Sequence, residues 1–277
     1  MSLLLVAGCG TESSSSDLSE DLSFVPSGGM LGFSDRAAIR EIAGSDADDP
    51  WTVAAGAVAG SFGSYEQYLA DELSVDLSAA DRVFQGGEGP NITLVIVGGQ
   101  DADAVSAAAR AAGWSGDEVL TRESEDASRP PLPLGDLRVT EDRVIIGGPT
   151  ARLGSEGGVA DSAGEDETTA ALIECLGDPL AALVAPPSET PHAVGVREND
   201  GATESSICLV GDEDDGERVA EGLGGTAMNG RPYSDLIADP EVRTVGDTVR
   251  VTVTNTADAL PVTIMQMMLV RDLPGLG

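Results

Sequence analysis

One order of hydrophobic and polar positions occurs twice along the chain. Residues 92–97 are apolar or β-branched, end at Gly98-Gly99, and are followed by apolar residues at helical spacing over residues 105–112. This pattern predicts a strand, a tight turn and a helix. Residues 206–223 have the same order, with an acidic turn between the apolar run and the helical spacing. The two stretches therefore predict two copies of one structural unit.

The segments that follow these two stretches also resemble each other. Residues 137–144 match residues 242–249 at one constant offset. The matched residues are Arg138, Asp142 and Val144 in the first segment, and Arg243, Asp247 and Val249 in the second. We interpret the arginines and aspartates as polar residues that fix equivalent turns, and not as a functional site.

Further segments complete the predicted unit. Residues 192–197 and 205–210 flank Glu198-Asn199-Asp200-Gly201, which predicts a hairpin. Residues 248–254 alternate as a half-buried strand does, and residues 262–269 are predicted as a helix by analogy with the helix near residues 168–175. Hairpins on both sides of a helix favour an α+β fold. We expect two tandem related repeats (strand-strand-helix-strand-strand-helix), with mainly antiparallel sheets and helices packed on one face.

A helical insertion is predicted between the first two strands. Ser34 or Asp35 can cap a helix that carries Ile39. Ser64 and Gln67 have the spacing of a capping box for a further helix. We therefore expect the first repeat to be longer than the second.

The composition limits the kinds of partner. The 277 residues include 48 acidic and 15 basic ones, and the net charge of −33 repels nucleic acid phosphates. No nucleic acid partner is therefore expected. Aromatic residues make up 3% of the chain, so the core must be built from Ala, Val, Leu and Ile. This acidic composition is similar to that of proteins from haloarchaea or from salt-adapted high-GC bacteria; an acidic protein of an ordinary high-GC organism is the alternative.

The first residues resemble the end of a lipoprotein signal peptide. Val6-Ala7-Gly8-Cys9 fits the lipobox pattern of prokaryotic surface lipoproteins, and the resemblance implies that Cys9 becomes the lipidated first residue of the mature protein. The segment lacks a positively charged n-region. Either the true start lies upstream, or the segment is not an export signal. Residues 11–17 are Ser-rich and polar, which favours a flexible tether behind a lipid anchor.

These observations divide the chain into four parts. Residues 1–9 are the signal remnant and lipobox, and residues 10–23 are the tether. Residues 24–178 form the first α+β repeat with its helical insertion. Residues 179–277 form the second repeat.

Export would also give roles to two other features. With Cys9 assigned to lipidation, Cys175 and Cys208 remain, and in an exported chain they favour a disulfide. Two buried free thiols are the alternative. Asn91-Ile92-Thr93 has the spacing of an N-glycosylation site, so Asn91 is a possible glycosylation site.

No motif of catalysis or metal binding is present in the sequence. His192 is the single histidine, and it is expected to be an ordinary residue at a strand end. Residues 212–223 resemble a calcium-binding loop, but the last position is Leu223 where such loops have Glu. We expect no cofactor, metal or catalytic site.

The favoured interpretation is a lipid-anchored extracytoplasmic protein with a binding or structural role at the cell envelope. Its partner would be the membrane, through the anchor, and an envelope protein, polymer or small ligand in a cleft between the repeats. The alternative is a secreted carboxylate-dependent hydrolase, for which Asp101, Asp212 and Asp247 should converge. A solute-binding lipoprotein of a transporter would fit the anchor, but parallel strand-helix-strand units are expected there.

Overall fold

The computed structural model describes residues 20–44, 49–58, 60–122, 134–154, 158–186 and 190–276. Within these residues the strands form one 11-stranded sheet, and every pairing in it is antiparallel. The strands are β1 (Leu31–Asp35), β2 (Arg82–Glu88), β3 (Asn91–Val97), β4 (Val119–Thr121), β5 (Asp136–Val139), β6 (Arg143–Gly147), β7 (Ala181–Val184), β8 (His192–Asn199), β9 (Ala202–Val210), β10 (Ile237–Val245) and β11 (Thr248–Asn255).

The α-helices of the described residues surround this sheet. They are α1 (Arg36–Ala43), α2 (Pro50–Ala57), α3 (Gly60–Gly63), α4 (Glu66–Leu73), α5 (Ala102–Ala111), α6 (Glu167–Leu176), α7 (Glu213–Gly222) and α8 (Thr263–Leu269). The helices predicted near residues 168–175 and 262–269 are confirmed as α6 and α8, and the hairpin predicted around Asp200-Gly201 joins β8 to β9.

Aspartate side chains begin most of the longer helices. Each accepts a hydrogen bond from a backbone N–H group in the first helical turn, where that group has no partner within the helix. The capping residues are Asp35 of α1, Asp101 of α5, Asp166 of α6 and Asp212 of α7. The capping box predicted at Ser64 is wrong, because α4 begins after Tyr65 without a side-chain cap.

The two halves of the chain pair their strands in the same order. The first half follows β1-β2-β3-β6-β5, with β4 added at the edge, and the second follows β7-β8-β9-β11-β10. The pairing of β1 with β7 joins the halves in the middle. The halves therefore share one continuous sheet, and the prediction of separate sheets is wrong.

Helices cover both faces of the sheet. Face A carries Leu94, Val194 and Ile207, and face B carries Val95 and Cys208. Face A packs against α1, α2, α4, α5, α7 and α8.

On face B, α6 packs over the strands of the second half through Leu172, Cys175 and Leu176. The prediction that all helices lie on one face is therefore wrong. The physical reason is that β9 is apolar on both sides, since Ile207 points to face A while the neighbouring Cys208 points to face B.

An N-terminal strap, residues 20–30, packs on face B beside the strands of the first half. Leu22 and Val25 are buried there, and Val25 O accepts a hydrogen bond of 2.7 Å from Ala163 N. Ser27 N donates to Asp161 O at 2.7 Å. The folded chain thus includes residues 20–23, and the predicted boundary of the tether at residue 23 is too late.

An ion cluster attaches the N-terminal strap to the sheet. Asp21 is fully buried and contacts Arg143 Nε at 2.8 Å and Arg82 Nη2 at 3.1 Å. The exposed Glu20 contacts Arg143 Nη2 at 3.1 Å. Burial raises the pKa of Asp21, against the hydrogen bond from Arg143 and the positive charges of both arginines, which lower it. The cluster therefore positions the strap more than it stabilises the fold, because desolvation offsets the attraction.

Candidate functional site

Within the described residues, the pairing of β1 with β7 joins the two halves directly. Near their junction on face B lies an apolar cavity of about 20 Å³, lined by Leu31 and Phe33 of the first half and by Ala182 and Val184 of the second, among others. Such a cavity has room for about one water molecule. The expected cleft between repeats is therefore replaced by a packed junction.

A larger concave site lies on face A of the second half. This β10 groove has a volume of about 430 Å³ and lies between the end of α7 and the beginning of β10. It is lined by Ala220, Glu221, Leu223, Gly224, Ser234, Ile237, Ala238, Asp239, Pro240 and Val253. The groove is open to solvent, and its larger apolar residues Leu223, Ile237 and Val253 are themselves buried in the core.

A β-bulge forms one side of the groove. Ala238 pairs with Thr254 and Glu241 with Thr252, so that Asp239 and Pro240 together face Val253 alone. Asp239 has a φ of +53°, and the bulge locally bends the strand. Proline is tolerated here because β10 is an edge strand and needs no further ladder hydrogen bond. The bulge leaves Val253 as the floor of the groove.

Helix α7 forms the opposite side. A Cβ atom at Gly216 would lie 2.6 Å from Val249 Cγ2 and 2.7 Å from Val242 Cγ1, so glycine permits the helix to approach the sheet closely. The groove itself lies at the C-terminal end of α7. Glu221 is in the last turn of the helix, and Leu223 is the residue that follows the helix. The close approach fixes where this helix end lies relative to the bulge.

A short 3₁₀ turn, Tyr233–Asp235, supplies Ser234 to the groove and is fixed from behind. The Tyr233 hydroxyl donates to Asp272, whose backbone O and Oδ1 both lie at 2.8 Å. The Asp272 carboxylate also accepts from Met228 N at 3.0 and 3.1 Å. The loop before β10 is thereby attached to the C-terminal segment.

The charges of the groove are of one sign. Glu221 on α7 and Asp239 on the bulge supply carboxylates, and no cationic side chain belongs to the lining. Of the nearby arginines, Arg218 pairs with Asp215 and Arg231 lies 3.7 Å from Asp235. The groove therefore combines an apolar floor with a negative rim.

Sequence reasoning did not identify the groove. The signal that could have indicated it is Asp239-Pro240 inside a segment that otherwise reads as a strand, because proline in a strand indicates an edge or a bulge. The contributions of Ala220 and Ser234 depend on how α7 and the 3₁₀ turn pack, which the local sequence does not specify.

The residues predicted to carry modifications lie in different places. Cys9 falls outside the described residues. Cys175 and Cys208 form a disulfide, as predicted, and both are fully buried. Asn91 is exposed at the beginning of β3, in the hairpin with β2, and its glycosylation stays a prediction. His192 begins β8, and its Nδ1 lies 2.7 Å from Thr190 O, which fits the expected structural role.

The carboxylates of the hydrolase alternative do not converge. Asp101 follows β3 and Asp212 follows β9. Five antiparallel pairings separate these strands, so the strands run in opposite directions and the two aspartates lie at opposite ends of the sheet. Five strand spacings amount to about 24 Å. Asp247 lies in the β10–β11 turn, on the side of Asp212. Across the described ranges, no group of three or more His, Cys, Asp or Glu side chains is arranged to hold a metal ion.

The hydrogen bond between Tyr233 and Asp272 leads to a prediction at high pH. Burial, reinforced by the Asp272 carboxylate, raises the pKa of Tyr233 from 10.0 to about 12. Between these values the unfolded chain loses the phenolic proton while the folded protein keeps it. The free energy of unfolding should therefore fall with rising pH, by about 2 to 3 kcal/mol in total. Urea unfolding between pH 9 and 12 measures this loss.

Two variants check its origin. Tyr233→Phe should lack this contribution to the pH slope. Asp272→Asn should reduce the slope without abolishing it, because burial is the larger cause. An equal slope in the wild type and in Tyr233→Phe would contradict the assignment.

Comparisons with known proteins give no family for the chain. No family model matches it, and no curated protein matches it either.

In the described residues, no helix has the length and apolar character needed to cross a membrane. Two crystal structures of the protein TP0453 are similar to the chain. Crystal form III has a TM-score of 0.44 and 10% identity over 88% of this chain and 97% of that one. Crystal form I has a TM-score of 0.45 and 8% identity over 91% and 97%. No function is inferred from these similarities.

Proposed function

We propose that the chain is a lipid-anchored extracytoplasmic protein with a non-enzymatic binding role at the cell envelope. The anchor would be a lipid on Cys9, and the ligand site would be the β10 groove. The observation that carries the proposal is the disulfide between Cys175 and Cys208. Such bonds persist in oxidising compartments and are rare in the cytosol.

The position of the N-terminal strap supports the anchor. The strap begins at Glu20, so the ten residues 10–19 separate it from Cys9. The eleven Cα–Cα steps from Cys9 to Glu20 can reach at most about 40 Å. The ion cluster of Asp21 with Arg82 and Arg143 lies where the tether would enter the fold, so it would transmit the pull of the anchor to β2 and β6. The folded part would therefore stay within a few nanometres of the membrane.

The location of the groove supports the binding role. From β6, where Arg143 receives the strap, to the edge strand β10, the sheet order contains eight strand spacings. These amount to about 38 Å. A domain attached through the strap would thus hold its β10 groove at the far end of the sheet from the attachment point, where a ligand can reach it.

We also propose that the two halves arose by duplication. The recurring order of pairing and the matched residues of β5–β6 and β10–β11 support this. The helices α6 and α8, which end the two halves, pack on different faces and would have diverged after the duplication.

The anchor is tested by comparing the full chain with its Cys9→Ser variant in a prokaryotic host that processes lipoproteins. The wild type should partition into the detergent phase of a Triton X-114 extract, and its N-terminal peptide should begin at an acylated Cys9. Cys9→Ser should move to the aqueous phase. As a matched control, the Cys175→Ala/Cys208→Ala variant should remain in the detergent phase. A wild-type peptide that retains Met1 and a free Cys9 thiol would refute the anchor.

A further inference from the structure

We propose that Asn91 accepts an N-linked glycan only before the chain folds, and that folding then closes the acceptor site. The acceptor tripeptide is Asn91-Ile92-Thr93. The inference rests on the extracytoplasmic location proposed above, because such tripeptides are modified in exported chains. It follows from the different positions that Asn91 and Thr93 have in the folded protein.

The third residue of the tripeptide is inaccessible in the folded protein. Thr93 is 0% exposed and lies on face B of β3, two residues before Val95. Its hydroxyl donates a hydrogen bond of 3.0 Å to the backbone O of Phe24, in the N-terminal strap. A transferase selects its acceptor by a serine or threonine at this position, and acceptor tripeptides therefore usually lie in surface loops. Here the strap covers the hydroxyl that the enzyme must recognise.

The backbone of the tripeptide is also engaged on both sides. Thr93 pairs with Gly86 of β2 on one side and with Gly147 of β6 on the other. In addition, Ile92 O accepts a hydrogen bond of 2.7 Å from Gly148 N. Binding of the tripeptide to a transferase would therefore require the beginning of β3 to leave the interior of the sheet.

The asparagine itself remains at the surface. Asn91 is exposed, and so is the turn that precedes it, Gly89-Pro90. A glycan that is already attached to Asn91 would extend into solvent and leave the packing of β3 unchanged. A glycan on the mature protein would therefore record that the chain reached the transferase before it folded.

The donor for this modification is a lipid-linked oligosaccharide. Asn91 Nδ2 forms a bond to the anomeric carbon of the first sugar, while the bond from that carbon to the phosphate of the lipid carrier breaks. The phosphate leaves with the bonding electron pair, and a base of the transferase takes the amide proton. The reaction needs no group of the folded protein.

The test compares folded and unfolded full-length chains, both produced in a host without N-glycosylation. Ile146→Asp places a charge in the core at a residue that is 0% exposed, and circular dichroism verifies that this variant is unfolded. Each chain is incubated with a purified oligosaccharyltransferase and its lipid-linked donor, and peptide mass spectrometry quantifies modified Asn91. The folded wild type should react at least about 100-fold more slowly, because a core strand opens in only a small fraction of molecules.

The β8–β9 hairpin offers a matched control. Gly201→Asn creates an acceptor tripeptide that ends at Thr203, again at the beginning of the second strand of a hairpin. Thr203 is half-buried, and pairing with β11 begins only at Glu204. Asparagine tolerates the positive φ of position 201, where a Cβ atom meets no atom within 4 Å. Folded Gly201→Asn should be modified at position 201 and not at Asn91.

Three outcomes would overturn the proposal: equal rates for the folded wild type and unfolded Ile146→Asp, no modification of unfolded Ile146→Asp, or a folded Gly201→Asn that stays unmodified at position 201. In the last case, the burial of Thr93 would not be what closes the site. These outcomes leave the acylation test of Cys9 unaffected. Conversely, a free Cys9 thiol would refute the anchor and leave the closure of the tripeptide by folding intact.

Discussion

Replacement of both Cys175 and Cys208 by alanine is expected to lower the free energy of unfolding by about 4 kcal/mol. The disulfide joins residues 33 positions apart, and the chain-entropy model gives a loss of about this size for a loop of that length. Both side chains are fully buried, so the truncation also leaves space in the core between α6 and β9. Urea unfolding of the wild type and of the double variant, both carrying Cys9→Ser to avoid linkage between molecules, measures the difference.

Reduction separates the contribution of the disulfide to stability from the effect of the lost side-chain volume. Dithiothreitol in the unfolding experiment should destabilise the wild type by most of the same amount and leave the double variant unchanged. Hydrogen exchange should show the largest loss of protection in α6, because this helix lies on face B and is the element that the bond attaches to β9. A wild type that is insensitive to reductant, with two thiols open to alkylation, would contradict the prediction.

The sequence predicted those elements whose pattern is local. The apolar run that became β3 ends at Gly98-Gly99, and Asp101 begins α5, as the order of residues indicates. The apolar density of residues 262–269 also suits a buried strand. The predicted helix is confirmed as α8, because face A of β8 and β11 accepts its apolar side chains.

The arrangement of these elements could not be predicted in the same way. The pairing of β1 with β7 joins residues about 150 positions apart, and no local pattern specifies it. The same holds for α6, whose position on face B depends on Cys208 and its neighbours in a strand that is buried on both sides. Salt adaptation and the glycosylation of Asn91 remain predictions, because they concern the solution and the cell in which the chain works.

The candidate site shows the same limit more strongly. The sequence could indicate a bulge at Asp239-Pro240, but the groove also needs the end of α7 and the 3₁₀ turn at Ser234. Gly216 determines how close α7 lies to β10 and β11, and this role becomes visible only when Val242 and Val249 are placed beneath it. Sequence motifs therefore do not predict a site that is formed by the packing of three separate segments.

The substitution Gly99→Ala is expected to lower the free energy of unfolding by about 3 kcal/mol. Gly99 has a φ of +67°, and a Cβ atom there would lie 1.8 Å from the backbone O of Ala79. The left-handed conformation alone costs an L-residue about 1 to 2 kcal/mol, and overpacking adds about 1 to 3 kcal/mol. The clash involves backbone and cannot be relieved by a side-chain rotation. The segment containing Ala79 would have to move, although Leu77 O accepts a 2.6 Å hydrogen bond from Arg36 Nη1.

Gly201→Ala is the matched control for the backbone conformation. Gly201 has a φ of +83° in the β8–β9 turn, and a Cβ atom there would meet no atom within 4 Å. Its substitution should therefore cost only the conformational part, about 1 to 2 kcal/mol. The difference between the two variants in urea unfolding isolates the close approach of Gly99 to Ala79. If both variants lost the same free energy of unfolding, the turn after β3 would adjust to the added methyl group. This result would contradict a tight contact between Gly99 and Ala79.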